Sequence, residues 1–459
     1  MMDGKTENSK GNCETICAVA TPPGTGGLGI VRVSGPRVPE IARLITGRLP
    51  RPRFATFCDF LDSGKEPIDS GIALYFPEPH SFTGEHVLEL QGHGGSYILQ
   101  RLLQRVISLG ARSARPGEFS ERAFLNDKID LVQAEAIADL IDSGSEAAAR
   151  AAQRSLQGVF SAQVNELCEQ LTALRVFVEA AIDFPDEEID FLAESDVVQR
   201  ILGVTQRLVS LLEEARQGRL LRDGIVLAII GRPNAGKSSL LNALSGQDSA
   251  IVTEIPGTTR DVLREQIDLD GIPVHVADTA GIRETSDLIE AEGVRRARQT
   301  LQTADIILLI EDARHILAGE EGLLEELAPN TTCIIVANKT DLLAPLELAG
   351  IDRESKAGPV WISAKTGQGL DILRHKIREA VGATDRAEGS FSARQRHVDA
   401  IKRANKHLLA GQQVMEESAA GELLAEELRL AHRALGEITG EMLPDDLLGE
   451  IFSSFCIGK

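Results

Sequence analysis

The feature that most constrains this chain is a glycine-rich octapeptide set between a run of branched apolar residues and a helix-forming segment. Residues 231–238 read Gly-Arg-Pro-Asn-Ala-Gly-Lys-Ser, which matches G-x-x-x-x-G-K-[ST]. The strand candidate 225–230 comes directly before the motif and the helix candidate 239–244 directly after it. In this order backbone N–H groups surround the phosphates of a nucleotide, the lysine compensates their charge and the serine hydroxyl binds Mg²⁺. The motif therefore predicts a nucleotide-binding α/β domain.

Three further motifs, each directly after a strand candidate, specify the nucleotide. Residues 278–281 (Asp-Thr-Ala-Gly) offer a carboxylate for the Mg²⁺ shell and a glycine N–H for the γ-phosphate. In residues 338–341 (Asn-Lys-Thr-Asp), Asp341 can accept hydrogen bonds from the ring N–H and exocyclic amine of guanine, a donor pair that adenine lacks. Residues 363–365 (Ser-Ala-Lys) would add a backbone N–H for the guanine oxygen. Because unpaired buried polar groups are costly, the four motifs predict a site that binds GTP and rejects ATP.

The group that hydrolyses GTP is not evident from these motifs. Ile282 stands where many small GTPases carry a glutamine that orients the attacking water, and an apolar side chain cannot do so. Catalysis must therefore use a group from elsewhere in the chain. The candidates are the polar residues near the expected switch segments: Thr258, Thr259, Arg260, Arg283, Glu284 and Glu290.

Changes in composition and in the spacing of apolar residues divide the chain into four segments. Residues 1–125 alternate glycine and proline with short apolar runs, which predicts a mixed α+β domain. Residues 126–218 are Ala-rich with helical spacing and predict the first part of a helical bundle. Residues 385–459 are helical in pattern to the end and complete the bundle, so residues 219–384 form an inserted P-loop G domain of the Ras-like α/β class.

Strand and helix candidates alternate within the G domain, which is typical of an open sheet covered on both faces. Asp270-Gly271 joins two strand candidates as a hairpin, so one strand should run antiparallel to the rest. The buried-strand candidates are 225–230, 274–277, 306–310, 333–337 and 360–362.

The net charge of −21 over 459 residues argues against a protein that coats RNA with its whole surface, so any RNA contact must use a local basic patch. The six cysteines are scattered and no secretory signal is apparent, which indicates a reduced, cytoplasmic protein. Cys13 and Cys17 are four residues apart, but no second pair completes a zinc site. The apolar runs are of strand length, which predicts no membrane insertion.

Three signatures outside the nucleotide motifs are residues 115–119 (Arg-Pro-Gly-Glu-Phe), 184–188 (Phe-Pro-Asp-Glu-Glu) and 455–459 (Phe-Cys-Ile-Gly-Lys). Together with the G-domain motifs they closely resemble the MnmE (TrmE) family of tRNA-modification GTPases over essentially the whole chain. The resemblance implies a hydrolase that converts GTP to GDP and phosphate. With an FAD-containing partner, MnmG, it would add a carboxymethylaminomethyl or aminomethyl group to carbon 5 of the wobble uridine of certain tRNAs. It also implies a homodimer joined through the N-terminal domains, and a heterotetramer or larger complex with MnmG.

The resemblance also implies how GTP is hydrolysed without the missing glutamine. Potassium, bound by the Asn234 side chain and by backbone oxygens near Thr253, Ile255 and Thr258, would bridge two G domains and take the place of an arginine finger. Ser238 and Thr259 would bind Mg²⁺, and Glu290 would position the attacking water through a second water. A cation that neutralises developing charge and a remote carboxylate that orients the nucleophile account physically for this arrangement. The catalytic set is therefore Thr258, Thr259 and Glu290.

Motifs and resemblance together define the predicted GTP-binding residues. These are Asn234, Ala235, Gly236, Lys237, Ser238, Ser239, Thr253, Glu254, Ile255, Pro256, Gly257, Thr258, Thr259, Asp278, Thr279, Ala280, Gly281, Asn338, Lys339, Thr340, Asp341, Ser363, Ala364 and Lys365.

The one-carbon donor implied by the resemblance is a reduced folate, 5,10-methylenetetrahydrofolate or 5-formyltetrahydrofolate, bound in the N-terminal domain. The family pattern carries over to Arg32, Glu89, Lys128 and Lys459. Glu89 could accept two hydrogen bonds from the pterin edge, and the three cations could pair with the glutamyl tail. Without the resemblance, each is more often a solvated or salt-bridged surface residue.

Other interpretations stay open at this point. A ribosome-assembly GTPase of the same broad class would use GTP as a checkpoint, although the region after Gly389 shows no KH loop and no basic stripe. A regulatory switch would bind folate and take no part in nucleoside chemistry. Cys456 could act as a nucleophile, but its flanks favour a packing role. His93, within Gly-His-Gly-Gly, is interpreted as a turn residue rather than a base.

Overall fold

The computed structural model describes residues 14–183, 197–245, 264–277, 304–318, 332–349, 351, 358–383, 391–418, 420–442, 445–453, 455 and 458. The chain forms two compact units. We call Met1–Ala138 with Gly436–Lys459 the terminal unit, and Asp139–Leu435 the central unit.

The strands are β1 Ile16–Val19, β2 Gly26–Ser34, β3 Thr56–Leu61, β4 Pro67–Phe76, β5 Val87–Gly94, β6 Arg112–Ser113, β7 Ile225–Gly231, β8 Arg264–Leu269, β9 Ile272–Ala277, β10 Ile306–Asp312, β11 Thr332–Asn338 and β12 Val360–Trp361. The helices are α1 Val38–Thr46, α2 Ser96–Ser108, α3 Glu118–Leu125, α4 Leu131–Asp142, α5 Glu146–Leu156, α6 Val159–Asp183, α7 Val197–Asp223, α8 Lys237–Ser245, α9 Ala313–Leu317, α10 Pro345–Ala349, α11 Leu370–Ala380, α12 Gln395–Ser418, α13 Gly421–Thr439 and α14 Asp445–Ser453. Among the described segments, no helix is long and apolar enough to cross a bilayer.

The terminal unit is built on a six-stranded sheet in the order β3-β4-β5-β2-β1-β6. Its neighbouring strands are antiparallel except for the parallel pair β1–β6. Helix α1 packs on the sheet because Val38, Ile41, Ala42 and Ile45 recur on one helical face, and all four are fully buried. Gly47, in a left-handed conformation (φ 76°), ends the helix.

The C-terminal helix of the terminal unit packs against the 115–119 signature. Gly117 has a φ of 65°, and a Cβ there would lie 2.4 Å from the carbonyl oxygen of Phe452. Only glycine allows this approach without displacing the backbone of α14. Phe452 and Phe455 then pack with Leu131 and Ala134 in one apolar cluster. The signature is therefore, in part, a packing requirement.

The nucleotide-binding part of the central unit contains a sheet in the order β12-β11-β10-β7-β9-β8. All neighbouring pairs are parallel except β8–β9. Asp270 (φ 52°) and Gly271 (φ 91°) form the turn of this hairpin, with both residues left-handed as a type I′ turn requires. The predicted strands and the antiparallel hairpin are confirmed.

A helical bundle accompanies this sheet, built from α6 and α7 with α12 packed against α7. In α6, Leu167, Leu171, Leu174 and Val178 recur at helical spacing and are buried. The ring of Phe160 in α6 stacks on that of Phe391 at 4.2 Å between centroids, so the chain returns to the bundle directly after the nucleotide-binding part. An α+β part, a helical bundle and an inserted P-loop α/β part thus agree with the predicted fold class.

Asp139 joins the segments that enter and leave the nucleotide-binding part. Its Oδ1 accepts from Nε of Arg222, three residues before β7, at 2.7 Å and from Arg394 Nη2 at 2.8 Å. Its Oδ2 accepts from Ser392 Oγ at 2.6 Å. The carboxylate side chain is 6% exposed, so one buried group holds both the segment that enters the nucleotide-binding part and the segment that leaves it.

Candidate functional site

The phosphate loop lies between β7 and α8, as its motif predicts. Asn234 (φ 63°) and Gly236 (φ 98°) adopt left-handed conformations that turn the loop back toward the helix. At the start of the loop, a Cβ on Gly231 would lie 2.1 Å from the carbonyl oxygen of Ile310, so glycine is needed beside β10. Lys237 Nζ donates to the carbonyl oxygens of Gly231 at 2.8 Å and Arg232 at 3.1 Å. The ammonium group therefore lies inside the curve of the loop.

The first turn of α8 carries two further residues of the predicted nucleotide and Mg²⁺ site, Ser238 and Ser239. Ser238 and Ser239 are exposed there, while Ala235 is buried beneath the loop. A helix N-terminus with free N–H groups and a lysine favours a bound anion. This end of the sheet can therefore hold the phosphates of a nucleotide.

Asn338, the last residue of β11, connects the phosphate loop to the 363–365 motif. The residue is 2% exposed, and its side-chain Nδ2 donates to the Ala235 carbonyl oxygen at 2.9 Å. Its Oδ1 accepts from the Ala364 N–H at 3.0 Å. A Cβ on Gly236 would lie 2.3 Å from Asn338 Nδ2, which explains the second glycine of the loop. The base and phosphate ends of the site are thus held by one amide.

The carboxylate predicted to recognise guanine is oriented but exposed. Ser363 Oγ, fully buried, donates to Asp341 Oδ1 at 2.7 Å, and the Thr340 N–H donates to the Ile362 carbonyl oxygen at 3.1 Å. Ser363 itself is anchored because its Oγ accepts from the Thr366 N–H at 3.2 Å. The remaining lone pairs of Asp341 face solvent and can accept the two guanine donors.

Sequence reasoning missed Asp312, which fixes the lysine of the 338–341 motif. Asp312 ends β10 in register with Asn338, and its Oδ2 accepts from Lys339 Nζ at 3.1 Å. Arg314 donates to the same carboxylate from Nε at 2.9 Å and from Nη2 at 2.7 Å. These hydrogen bonds, the one from Arg314 foremost, hold the pKa of Asp312 well below its usual range despite burial. Its position at the end of a parallel strand was the available signal.

The structure brings together residues 234–239, 338–341 and 363–365 around the carboxyl ends of β7, β11 and β12. Of the residues implied for Mg²⁺ and potassium, the exposed Ser238 and Asn234 lie in the described part. The other predicted nucleotide, metal and catalytic residues lie outside the described residues: Thr253, Glu254, Ile255, Pro256, Gly257, Thr258, Thr259, Asp278, Thr279, Ala280, Gly281 and Glu290, together with Arg260, Ile282, Arg283 and Glu284.

In the terminal unit the predicted folate residues Arg32 and Glu89 face each other across β2 and β5. Glu89 Oε1 accepts from Arg32 Nε at 3.0 Å and Nη2 at 2.9 Å, and Oε2 accepts from Gln91 Nε2 at 3.2 Å. Oε1 is thus occupied by the guanidinium, whereas Oε2 keeps one lone pair for a further donor. The guanidinium lies 5.9 Å from the centroid of the Phe119 ring. Arg32 and Glu89 thus form a half-buried ion pair beside an aromatic ring.

The C-terminal tail reaches the same place. Arg32 Nη1 donates to the carbonyl oxygen of Gly458 at 3.3 Å. A Cβ on Gly458 would lie 2.5 Å from the Val19 carbonyl oxygen, so the tail packs closely on the end of β1. Lys128 is exposed and its Cε would be 3.0 Å from a Cβ on Gly84. Lys459 and Cys456 lie outside the described residues, so both interpretations of Cys456 stay open.

A buried carboxylate explains the rest of the 115–119 signature. Glu118 accepts from Arg112 Nη2 at 2.6 Å, from the Arg115 N–H at 2.8 Å and from Arg122 Nη2 at 3.0 Å. Burial raises the pKa of the Glu118 carboxyl, but these hydrogen bonds outweigh that effect and lower it to about 2. Arg122 also holds both oxygens of Glu85, at 3.1 and 2.9 Å. The network secures α3 beside the sheet.

The prediction for His93 is wrong in one respect, because the residue lies in strand β5 and not in a turn. The neighbouring glycines are needed for close approach: a Cβ on Gly92 would lie 2.3 Å from Asp69 Oδ2, and one on Gly94 2.5 Å from the Gly26 carbonyl oxygen. Asp69 Oδ1 lies 2.7 Å from the His93 ring Nδ1.

Cys17, one of the two cysteines weighed as metal ligands, is buried in β1, and burial raises the pKa of its thiol to about 12. Among the described residues, no group of three or more His, Cys, Asp or Glu side chains could hold a metal ion.

Two family models match the chain along its length. The model described as the MnmE helical domain matches residues 131–456, and the model described as the GTP-binding protein TrmE N-terminus matches residues 15–128. Both matches fall on segments whose elements are given above.

Full-length relatives agree with these matches. A Marinobacter nauticus protein named tRNA modification GTPase MnmE is 56% identical over 453 residues, which cover 97% of this chain and 99% of its own. A Hydrogenovibrio crunogenus protein of the same name is 54% identical over 448 residues, with coverages of 97% and 99%. Among solved structures, Aquifex aeolicus Era bound to GDP·AlF4⁻ is 28% identical over 40% of this chain and 67% of its own, with a TM-score of 0.26.

Proposed function

This chain belongs to the MnmE (TrmE) family, and from that premise we propose that it is a GTP hydrolase that acts in tRNA modification. Its relatives carry that activity in their names and match it from end to end. The chain covers nearly the whole length of each relative, so the proposal concerns the same set of domains.

The observation that carries the nucleotide part is the geometry of Asn338. Its amide holds the phosphate loop at Ala235 and the base loop at Ala364 in one rigid arrangement. The oriented carboxylate of Asp341 supports guanine selectivity, because it accepts from the two donors that adenine lacks. Lys237 and the N-terminal turn of α8 support binding of the phosphates.

Hydrolysis is proposed to use Mg²⁺ at Ser238 and Thr259 and potassium at Asn234 with backbone oxygens of Thr253, Ile255 and Thr258. The bound cations would neutralise charge that develops during phosphate transfer. Glu290, through a water, would orient the attacking water, and Thr258 and Thr259 complete the proposed catalytic set. The exposed, left-handed Asn234 supports the potassium proposal, because its side chain forms no hydrogen bond with any of the described residues.

The folate proposal rests on the ion pair of Arg32 and Glu89. A reduced folate, 5,10-methylenetetrahydrofolate or 5-formyltetrahydrofolate, would supply the one-carbon unit. The pterin edge would donate to the Glu89 carboxylate, whose Oε2 keeps a free lone pair, and the glutamyl tail would pair with the cations. The bond from Arg32 to the Gly458 carbonyl oxygen supports a role for the adjacent Lys459, with Lys128 as the third cation.

The remaining expectations are also proposals. The chain would form a homodimer through its N-terminal domain and bind MnmG, which carries the FAD, in a heterotetramer or larger complex in the cytoplasm. The product would be a carboxymethylaminomethyl or aminomethyl group on carbon 5 of the wobble uridine. The domain division at 1–125, 126–218, 219–384 and 385–459 stays a prediction.

The test is mass spectrometry of tRNA nucleosides from cells depleted of this protein and rescued with variants. Depletion should remove the 5-substituted wobble uridine, and wild type should restore it. Asp341→Asn, which alters the base site, and Arg32→Ala, which breaks the Glu89 pair, should both fail to restore it. Asp371→Asn, an exposed carboxylate in the first turn of α11, is the matched control and should restore it. An unchanged nucleoside profile after depletion would exclude the proposed function.

A further inference from the structure

The last turn of α1 and the connection from it to β3 form the most cationic stretch of the terminal unit. Residues 43–53 contain four arginines, Arg43, Arg48, Arg51 and Arg53, and no carboxylate side chain stands between Glu40 and Asp59. The whole chain has a net charge of −21. A positive segment in such a chain is the local basic patch that an RNA contact requires.

Within the described part of the chain, none of these four arginines forms an ion pair with a carboxylate. By contrast, six other arginines of the terminal unit each pair with a Glu or Asp: Arg32, Arg37, Arg101, Arg112, Arg115 and Arg122. No carboxylate of the described residues therefore compensates the charge of these four arginines.

Arg53 fixes the connection to the sheet. Its N–H donates to the Tyr75 carbonyl oxygen at 2.8 Å, and Pro52 pairs with Tyr75 in an isolated bridge. Its guanidinium lies 5.7 Å from the centroid of the Phe76 ring and donates to the His80 carbonyl oxygen. These contacts hold the residues on either side of Arg53 next to the end of β4.

Arg48, Arg51 and Phe54, which we call the arginine loop, face solvent. The Arg51 guanidinium lies 5.5 Å from the centroid of the Phe54 ring, and Phe54 is 57% exposed. A planar cation stacked on an exposed aromatic ring offers flat faces of the kind on which unpaired nucleobases stack. Arg48 adds a charge suited to a phosphate.

We propose that the arginine loop binds an unpaired segment of RNA, that of the tRNA on which the chain acts, an inference that rests on the proposed function. An acidic peptide would need the charges but not the exposed ring, whereas single-stranded RNA uses both. Paired RNA hides the faces of its bases in the stack, so the arginine loop should prefer an unpaired segment.

The test measures the affinity of the full-length protein for RNA by fluorescence anisotropy. The probes are unmodified tRNA, a single-stranded RNA and a duplex RNA of equal length, each over a range of salt concentrations. The triple variant Arg48→Ala/Arg51→Ala/Phe54→Ala should bind tRNA and single-stranded RNA about tenfold or more weakly. Its slope of log affinity against log salt should fall by roughly 0.7, since the phosphate contact of Arg48 is lost.

The matched control is Arg37→Ala/Arg101→Ala/Tyr97→Ala, which removes two ion-paired arginines and an aromatic ring that is 70% exposed. It should bind RNA as wild type does. Phe54→Trp should keep wild-type affinity because it keeps the stacking face, and Phe54→Leu, which keeps the apolar bulk, should weaken binding. These single variants keep the test valid if the triple variant does not fold.

Unchanged RNA affinity in the triple variant and in Phe54→Leu would overturn the proposal, as would an equal loss on single-stranded and duplex RNA. GTP hydrolysis without RNA should be the same in all these proteins, because the nucleotide site belongs to the other unit. Failure of this inference alone would leave wild type hydrolysing GTP and restoring the nucleoside in depleted cells. Failure of the proposed function would appear in the nucleoside profile, whatever the RNA affinity.

Discussion

The side-chain amide of Asn338 donates to the carbonyl oxygen of Ala235 at 2.9 Å, which ties the end of β11 to the phosphate loop. The two residues are 103 positions apart in the chain. The same side chain accepts from the Ala364 N–H, so three loops depend on one buried residue. Base recognition and phosphate binding are therefore mechanically linked.

Asn338→Ala should weaken binding of both GDP and GTP. The change leaves the Ala235 carbonyl and the Ala364 N–H without their partner, and each loss costs about 1–3 kcal/mol. We expect dissociation constants to rise roughly tenfold to a hundredfold, measured with a fluorescent guanine nucleotide. Asn126→Ala, which removes a similar bond to the Thr83 carbonyl in the terminal unit, is the control and should leave nucleotide affinity unchanged. Equal nucleotide affinity in Asn338→Ala and wild type would show that the bridge is dispensable.

Asp341→Asn should change which base is bound. Xanthine has a carbonyl where guanine has an amine, so an amide that donates suits xanthine and opposes guanine. The bond from Ser363 Oγ can persist to the amide oxygen, which should keep the local fold. GTP affinity should fall about a hundredfold or more and xanthosine triphosphate affinity should rise, both by calorimetry. Parallel losses for both nucleotides would contradict the assignment of Asp341 to the base.

Glu118→Gln should destabilise the terminal unit in a pH-dependent way. The folded-state pKa of Glu118 is about 2, against an ordinary value of 4.5, so the ionised group stabilises the fold above about pH 4.5. That contribution disappears as pH falls from 4.5 toward 2. The variant should lose roughly 3 kcal/mol of unfolding free energy at pH 7 and progressively less below pH 4.5.

The measurement is urea unfolding at pH 7, 4 and 3 for wild type, Glu118→Gln and Glu121→Gln. Glu121 lies on the same helix and, among the described residues, pairs with the exposed Arg115 alone, so its variant should change little at any pH. A stability difference for Glu118→Gln that stays constant with pH would argue against this account of its pKa.

Gly117→Ala should displace α14 from the 115–119 turn. The added Cβ meets the Phe452 carbonyl oxygen at 2.4 Å, in a left-handed conformation that alanine adopts at a cost. We expect a lower melting temperature by thermal scanning calorimetry. Gly203→Ala in α7 is the control, since nothing lies within 4 Å of its added Cβ and alanine favours a helix. A melting temperature for Gly117→Ala at or above that of Gly203→Ala would contradict the packing account.

The nucleotide-binding part of the fold could be predicted from the amino-acid sequence, because its signals are local. Strand, glycine-rich loop and helix follow one another within residues 225–245, and the Asp270-Gly271 turn joins adjacent strands. The parallel order then places Asn338 and Asp341 at one sheet edge, so these candidate residues followed from the motifs. For Arg32 and Glu89, the family resemblance identified the two residues but did not predict the ion pair between them.

Which groups from distant parts of the chain come into contact depends on tertiary packing. Three sets of contacts depend on register and packing that no local pattern encodes. They join Glu118 to Arg112 and Arg122, Asp312 to Lys339, and Asp139 to Arg222 and Arg394. The same reason explains His93, where glycines that suggest a turn instead relieve contacts with neighbouring chain segments. Local propensity can specify an element, whereas a pair of charges or a close contact exists only once elements far apart in the chain have packed together.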